Sequence, residues 1–144
     1  MAKNLDLKSL GNIDTVFFFD NECGLCDATV FFLIKNSKQN SISFCSLQSE
    51  IASKFFKQKK IDISKMDSAY LLDNGKIYNR SCAILQSFKI CDGFIKVFFF
   101  LIFVPKKLRD FFYFLVSRIR TRIPFSGNKC NLLSASEIER IIWL

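Results

Sequence analysis

Residues 14–20, DTVFFFD, form a short apolar run between two acids, and two residues later the chain reads Cys23-Gly24-Leu25-Cys26. This junction constrains the fold more than any other feature of the sequence. A run of this length with polar ends suits a strand buried on both faces. Residues 24–36 then continue without proline, and Val30, Phe31, Leu33 and Ile34 give them enough apolar surface to pack as a helix against a sheet, ending at Asn36 and Ser37. The two cysteines therefore fall where a buried strand hands over to a helix.

The following segments repeat the pattern. Residues 41–47, SISFCSL, read as a second strand, with Ile42, Phe44 and less cleanly Ser46 alternating against Ser43 and Cys45. In SEIASKFFKQKK, Ile51, Phe55 and Lys59 recur at helical spacing. Residues 68–73 and 76–80 flank Asn74-Gly75, and such a pair between strand-like runs predicts a hairpin, because both turn residues need positive φ. Ser81 is the expected N-cap of a helix through Ile84, Leu85 and Phe88, closed at Cys91-Asp92-Gly93. The order is βαβ, α, ββ, α. It predicts an α/β fold: a four-stranded mixed sheet of the thioredoxin or glutaredoxin order, its first two strands parallel, with helices on its faces and a C-terminal helical extension.

With 144 residues, half of them hydrophobic and 18 of them Phe, one domain with a well-formed core is expected: a core of about residues 14–92, then a helical hairpin and tail over 93–144. No Gly/Ser-rich linker divides the chain. Residues 94–104, FIKVFFFLIFV, hold one charge in eleven positions, short of the ~20 apolar residues of a membrane span. After Pro105 a second helix is predicted, with Leu108, Phe111, Phe112, Leu115 and Ile119 on an apolar stripe and Lys106, Lys107, Arg109, Arg118 and Arg120 at its ends. The whole last third is expected to be helical, its Phe-rich stripes covering the sheet as core.

The dithiol carries the chemistry. A thiolate on Cys23, at the helix N-terminus, is stabilised by unpaired N–H groups and the positive end of the helix dipole, whereas Cys26 lies one turn deeper. Cys23 is the expected nucleophile and Cys26 the resolving thiol, which attacks the mixed disulfide once it has lost its proton. Asp20, at the end of the Phe-rich strand, is expected to be buried and so suited to accept that proton; it is equally suited to cap the loop or helix start. Asp20, Glu22 and Asp27 all oppose the thiolate, which points to a reductant or isomerase rather than an oxidant.

A zinc site wants a second Cys or His pair, and this chain has no His and only isolated further cysteines, so no metal and no cofactor is expected. Cys45, Cys82 and Cys91 read as packed thiols, while Cys130 lies in a polar tail where it could approach the dithiol. The N-terminal residues lack the apolar stretch of a signal peptide, and the cysteines are scattered rather than arranged as a secreted framework; the expected setting is cytoplasmic.

The net charge is +8, of which +5 falls from Pro105 onward, with eight bases against three acids. Such charge favours anionic partners in general. No recognition motif supports nucleic acid, and the arginines Arg118, Arg120 and Arg122 fit a solvated face or an anion grip. The basic, Phe-rich C-terminal helices raise the alternative of a module that docks on a membrane surface or a protein, with incidental thiols.

The run FFFDNECGLCDATVFFLIKN, followed by FCSLQS, the hairpin DNGKIYNRSCAIL and VPKKLRDFFYFLVSRIRTRIPFSG on to Cys130, resembles the DCC family of thiol-disulfide oxidoreductases, named for one Asp and two Cys, here Asp20, Cys23 and Cys26. The resemblance implies a thioredoxin-like fold, dithiol chemistry and a protein or small-thiol disulfide as substrate. Gly24 and Leu25, between the thiols, and Arg80 and Ser81, after the hairpin, are candidate substrate contacts on the same basis. Thioredoxin's Trp and Pro beside the dithiol are absent, as is the Pro before the third strand near Met66-Asp67-Ser68, which predicts altered pairing with a substrate backbone.

Overall fold

The computed structural model describes residues 14–20, 24–38, 41–63, 68–120 and 141–142. The elements follow the predicted order: β1 (Thr15–Phe19), α1 (Gly24–Asn36), β2 (Ser43–Ser46), α2 (Glu50–Gln58), β3 (Tyr70–Asp73), β4 (Lys76–Asn79) and α3 (Arg80–Ile90), then a 3₁₀ helix (Gly93–Phe103), α4 (Lys106–Arg120) and β5 (Ile141–Ile142). The sheet runs β4-β3-β1-β2-β5, with β1 and β2 parallel and β3 antiparallel to both β1 and β4. This is the mixed α/β sheet of a thioredoxin-like fold.

β1 lies at the centre and is buried on both faces along its whole length. Its pleat divides the core. Phe17 and Phe19 point to one side, against Val30, Leu33 and Ile34 of α1 and Ala83 of α3. Val16 and Phe18 point to the other, against Ile51, Ala52, Phe55 and Phe56 of α2. Phe18 stacks on Phe55 at 5.7 Å between ring centroids and meets Phe56 edge-on at 4.9 Å. Around β2, Ile42 and Phe44 join the first side and Cys45 and Leu47 the second, while Ser43 and Ser46 are half-buried. The alternation read across this strand therefore separates two buried faces, because a strand inside a parallel pair has helices on both sides.

The hairpin forms at Asn74 (φ 48°) and Gly75 (φ 79°), the double left-handed turn that an Asn-Gly pair is suited to make. Around Gly75 nothing lies within 4 Å of where a Cβ would sit, so the requirement is backbone conformation alone.

Three expectations are corrected. Ser81 is not the N-cap of α3: Asn79 occupies that position, and Arg80, at φ 51°, turns β4 directly into the helix with no linking residue. Ser81 thus enters the first turn with its hydroxyl committed elsewhere. The last third is not wholly helical, because Ile141 and Ile142 pair in parallel with Phe44 and Cys45, adding a fifth strand. Nor do the Phe-rich stripes become core. No residue of the 3₁₀ helix is buried, and Leu108, Phe111, Phe112, Leu115 and Ile119 of α4 are all about half exposed or more.

Candidate functional site

The site is assembled where β1 ends and α1 begins. Asp20 follows β1 directly, and Cys26 is the third residue of α1, in the turn whose backbone N–H groups lack helical partners. Gly24 and Leu25 open that helix. Cys23, just before it, lies outside the described residues, as do Glu22, Arg122 and Cys130.

Asp20 is only partly buried, contrary to the burial expected of it. Its carboxylate Oδ1 accepts a 2.7 Å hydrogen bond from Gln48 Nε2, and the Gln48 amide is held from its other end by the Ser46 hydroxyl, which donates to Oε1 at 2.6 Å. Leu47 N–H donates to Phe19 O at 2.8 Å, carrying the β1–β2 pairing one step past the strands. The turn after β2 therefore fixes the acid at the end of β1. Gln48 stands in the FCSLQS segment, but nothing local in the sequence announces a contact 28 residues away.

Cys26 is nearly buried, at 9% exposure, and belongs to the core cluster of α1, α3 and the sheet. It also forms part of the wall of a cavity of about 610 Å³. Phe17 and Thr29 lie on the same wall; Ser81 and Ile84 of α3 face it, and Arg109, Phe112 and Tyr113 of α4 close it. The lining is almost wholly apolar, a type of concavity suited to holding an apolar group with a few polar fixing points.

Those fixing points also clasp α4 to the α/β core. The Ser81 hydroxyl donates to Asp110 Oδ1 at 2.7 Å. Ala69 N–H, just before β3, donates to Tyr113 Oη at 3.0 Å, while Ala69 O accepts from Arg80 N–H at 3.0 Å. Arg109 Nε donates to Val104 O at 2.9 Å and its Nη1 reaches Cys82 Sγ at 3.7 Å, bracing the bend at Pro105 against α3. Of the candidate substrate contacts named after the hairpin, the fold brings Ser81 to the cavity that Cys26 lines and leaves the Arg80 side chain exposed. Asp110 and Tyr113 were not among the candidates. Their partners stand 29 and 44 residues away, beyond any local pattern.

Among the described residues, Cys45, Cys82 and Cys91 do not line this cavity. Cys45 and Cys91 are fully buried, as expected, whereas Cys82 is half-buried beneath Arg109. Burial pushes the Cys45 thiol above its ordinary pKa, partly offset by its contact with the Ser49 hydroxyl at 3.3 Å. Arg118 is exposed and sits over the Phe114 ring at 4.9 Å.

Comparison with known proteins gives this arrangement its family. An uncharacterized Bacillus subtilis protein, YuxK, is 32% identical over 127 residues, 88% of this chain and 93% of the relative. A chloroplastic DCC family protein of Arabidopsis thaliana is 32% identical over 118 residues, 81% of this chain and 69% of the relative. No solved structure is a significant match. The sequence model of the DCC1-like thiol-disulfide oxidoreductases matches residues 17–126, a span that takes in the end of β1, the dithiol, both clasped helices and the residues that line the cavity, and the chain belongs to that family.

Proposed function

We propose that this protein exchanges disulfides through Cys23 and Cys26, with Cys23 as the nucleophile, Cys26 as the resolving thiol and Asp20 as the proton acceptor. The observation that carries this reading is the position of Cys26: in the first turn of α1, nearly buried, and on the wall of an apolar cavity that Phe17 of β1, the strand Asp20 follows, also lines. A substrate disulfide seated against that wall meets Cys26 in apolar surroundings.

In the reducing direction the Cys23 thiolate attacks one sulfur of the substrate disulfide, forming a mixed disulfide and releasing the other sulfur as a thiolate, which takes up a proton. Asp20 accepts the proton of Cys26. The Cys26 thiolate then attacks Cys23 Sγ, closing the intramolecular disulfide and releasing the second substrate thiolate, which recovers a proton from Asp20. Two electrons pass from the dithiol to the substrate, and a thiol reductant of the glutathione or dithiol class restores the starting state. Cys45 and Cys82, both free thiols, fit a reducing, cytoplasmic setting.

The test is a glutathione redox titration of the purified protein, with thiol alkylation and mass spectrometry to identify the paired cysteines. A reversible Cys23–Cys26 disulfide is expected, together with trapping of a mixed disulfide on Cys23 in Cys26→Ser. If Cys23 and Cys26 never pair at any glutathione ratio, the reading fails and the thiols are incidental.

A further inference from the structure

Exposed large apolar side chains of the described residues concentrate in one stretch. Among the described residues 14 are exposed, and 13 of these lie between Phe94 and Ile119, Phe32 being the exception. Scattered exposure of this kind is ordinary, but concentration in one stretch marks a contact surface.

The 3₁₀ geometry explains how the first half of that surface is organised. Side chains three apart eclipse one another in such a helix, so Phe94, Val97, Phe100 and Phe103 stand in a single outward ridge. They are 88%, 54%, 65% and 80% exposed. The neighbouring row is only partly turned to the protein, with Ile95 against the core and Phe98, still 56% exposed, meeting Phe88 at 6.2 Å. A second apolar set on α4, including Phe111, Phe114 and Ile119, is also half exposed or more.

The exposed charges of α4 have one sign, and beside the 3₁₀ ridge the half-exposed Asp92 is matched by Lys96 at 3.9 Å and Lys38 at 4.0 Å. Lys106, Lys107 and Arg118 of α4 are exposed, whereas the helix's single acid, Asp110, is turned inward to Ser81. A second copy of the chain would bring like charges together, and nucleic acid would stack on the rings but leave the aliphatic members of the surface, Val97, Leu108, Leu115 and Ile119, without an apolar partner. An anionic lipid surface meets both features, since it attracts the bases and accepts the rings among its head groups and acyl chains. No described helix is long and apolar enough to cross a membrane, and eleven 3₁₀ residues extend only ~22 Å, which suits a segment lying in the interface rather than spanning it.

We propose that the 3₁₀ helix and α4 dock this protein on an anionic membrane surface, Phe94, Val97, Phe100 and Phe103 inserting and Lys106, Lys107 and Arg118 contacting the head groups. Leu101, Phe112 and Val116 belong both to this exposed surface and to the cavity wall that Cys26 shares. Docking therefore brings the rim of that cavity against the lipid.

The experiment is flotation of the full chain with vesicles of phosphatidylcholine alone and of phosphatidylcholine mixed with phosphatidylglycerol, at low and high salt, with circular dichroism to check each variant. Binding to the anionic vesicles is expected, weakened by salt, lost in the combined variant Phe94→Ser, Phe100→Ser, Phe103→Ser, and reduced about 30-fold in Lys106→Gln with Lys107→Gln. The lysine variant reads the proposal even if the serine variant does not fold, because both lysines are solvated. Failure to float with either vesicle overturns the proposal, as does binding unaffected by the lysine changes. A serine variant that is folded and changes only self-association in sedimentation also overturns it and assigns the surface to a second copy. Cys23→Ser is expected to float like the unaltered protein, so the result stands apart from the redox titration.

Discussion

Ser81 and Asp110 join two parts of the protein that the sequence keeps 29 residues apart: the hydroxyl of the buried serine in α3 donates to the carboxylate of α4 at 2.7 Å, on the rim of the cavity that Cys26 lines. With the Tyr113–Ala69 and Arg109–Cys82 contacts, it holds α4 against α3 and the start of β3, on the cavity that Cys26 also lines. The clasp is made of polar contacts around an apolar space, so its strength depends on a few atoms.

Ser81→Ala removes the donor and leaves Asp110 facing a site it no longer matches. A hydrogen bond to a charged partner is worth about 2 kcal/mol, and the loss is expected to fall on the docking of α4 rather than on the sheet. Amide hydrogen exchange checks this: protection in α4 should drop about 30-fold while that of β1 and β3 holds.

Asp20→Asn separates the two roles open to this acid. As the proton acceptor for Cys26, its loss should slow resolution of the mixed disulfide about 100-fold and leave the first attack by Cys23 nearly unchanged. Stopped-flow mixing with a model disulfide, quenched by alkylation, should then show the mixed disulfide accumulating. A purely local structural role would lower stability without that accumulation.

Cys45 gives the folded state a dependence on alkaline pH. Its folded pKa is raised, chiefly by burial, so the stability linked to its protonated form is fully present below the unfolded value of about 8.5 and is lost as pH rises through the folded pKa. In that window stability should fall by about 1.4 kcal/mol per pH unit, and the fall should be smaller in Cys45→Ala. Urea titrations across alkaline pH measure it.

Phe18→Ala should cost about 4 kcal/mol, because the ring is fully buried between Phe55 and Phe56 and the hole it leaves is walled by a helix that cannot collapse into it. The midpoint of urea unfolding reads this directly. Phe100→Ala, in the exposed ridge, should change the same midpoint by less than about 0.5 kcal/mol.

What could be read from the sequence is what short stretches of chain decide for themselves. The apolar run of β1, the helix opening at the cysteines and the Asn74-Gly75 turn each depend on conformational and burial preferences within a few residues, and each stands where it was expected. The order of these elements was sufficient for the parallel and antiparallel pairings that put Asp20 and Cys26 at one end of the sheet.

The tertiary structure decided everything that depends on what a side chain meets after long-range closure. Ser81 looked like a cap because a serine after a strand commonly is one, but the left-handed turn at Arg80 carried it into the helix, where Asp110 took its hydroxyl. Gln48 found Asp20 only because β2 lies beside β1. The apolar stripe of α4 was visible, yet periodicity shows only that a helix has such a face and never what covers it. Here α1, α2 and α3 already cover the sheet except at the cavity beside Phe17, so Phe112 and Val116 turn to that cavity while the rest of the face met no apolar sheet surface and remained outside.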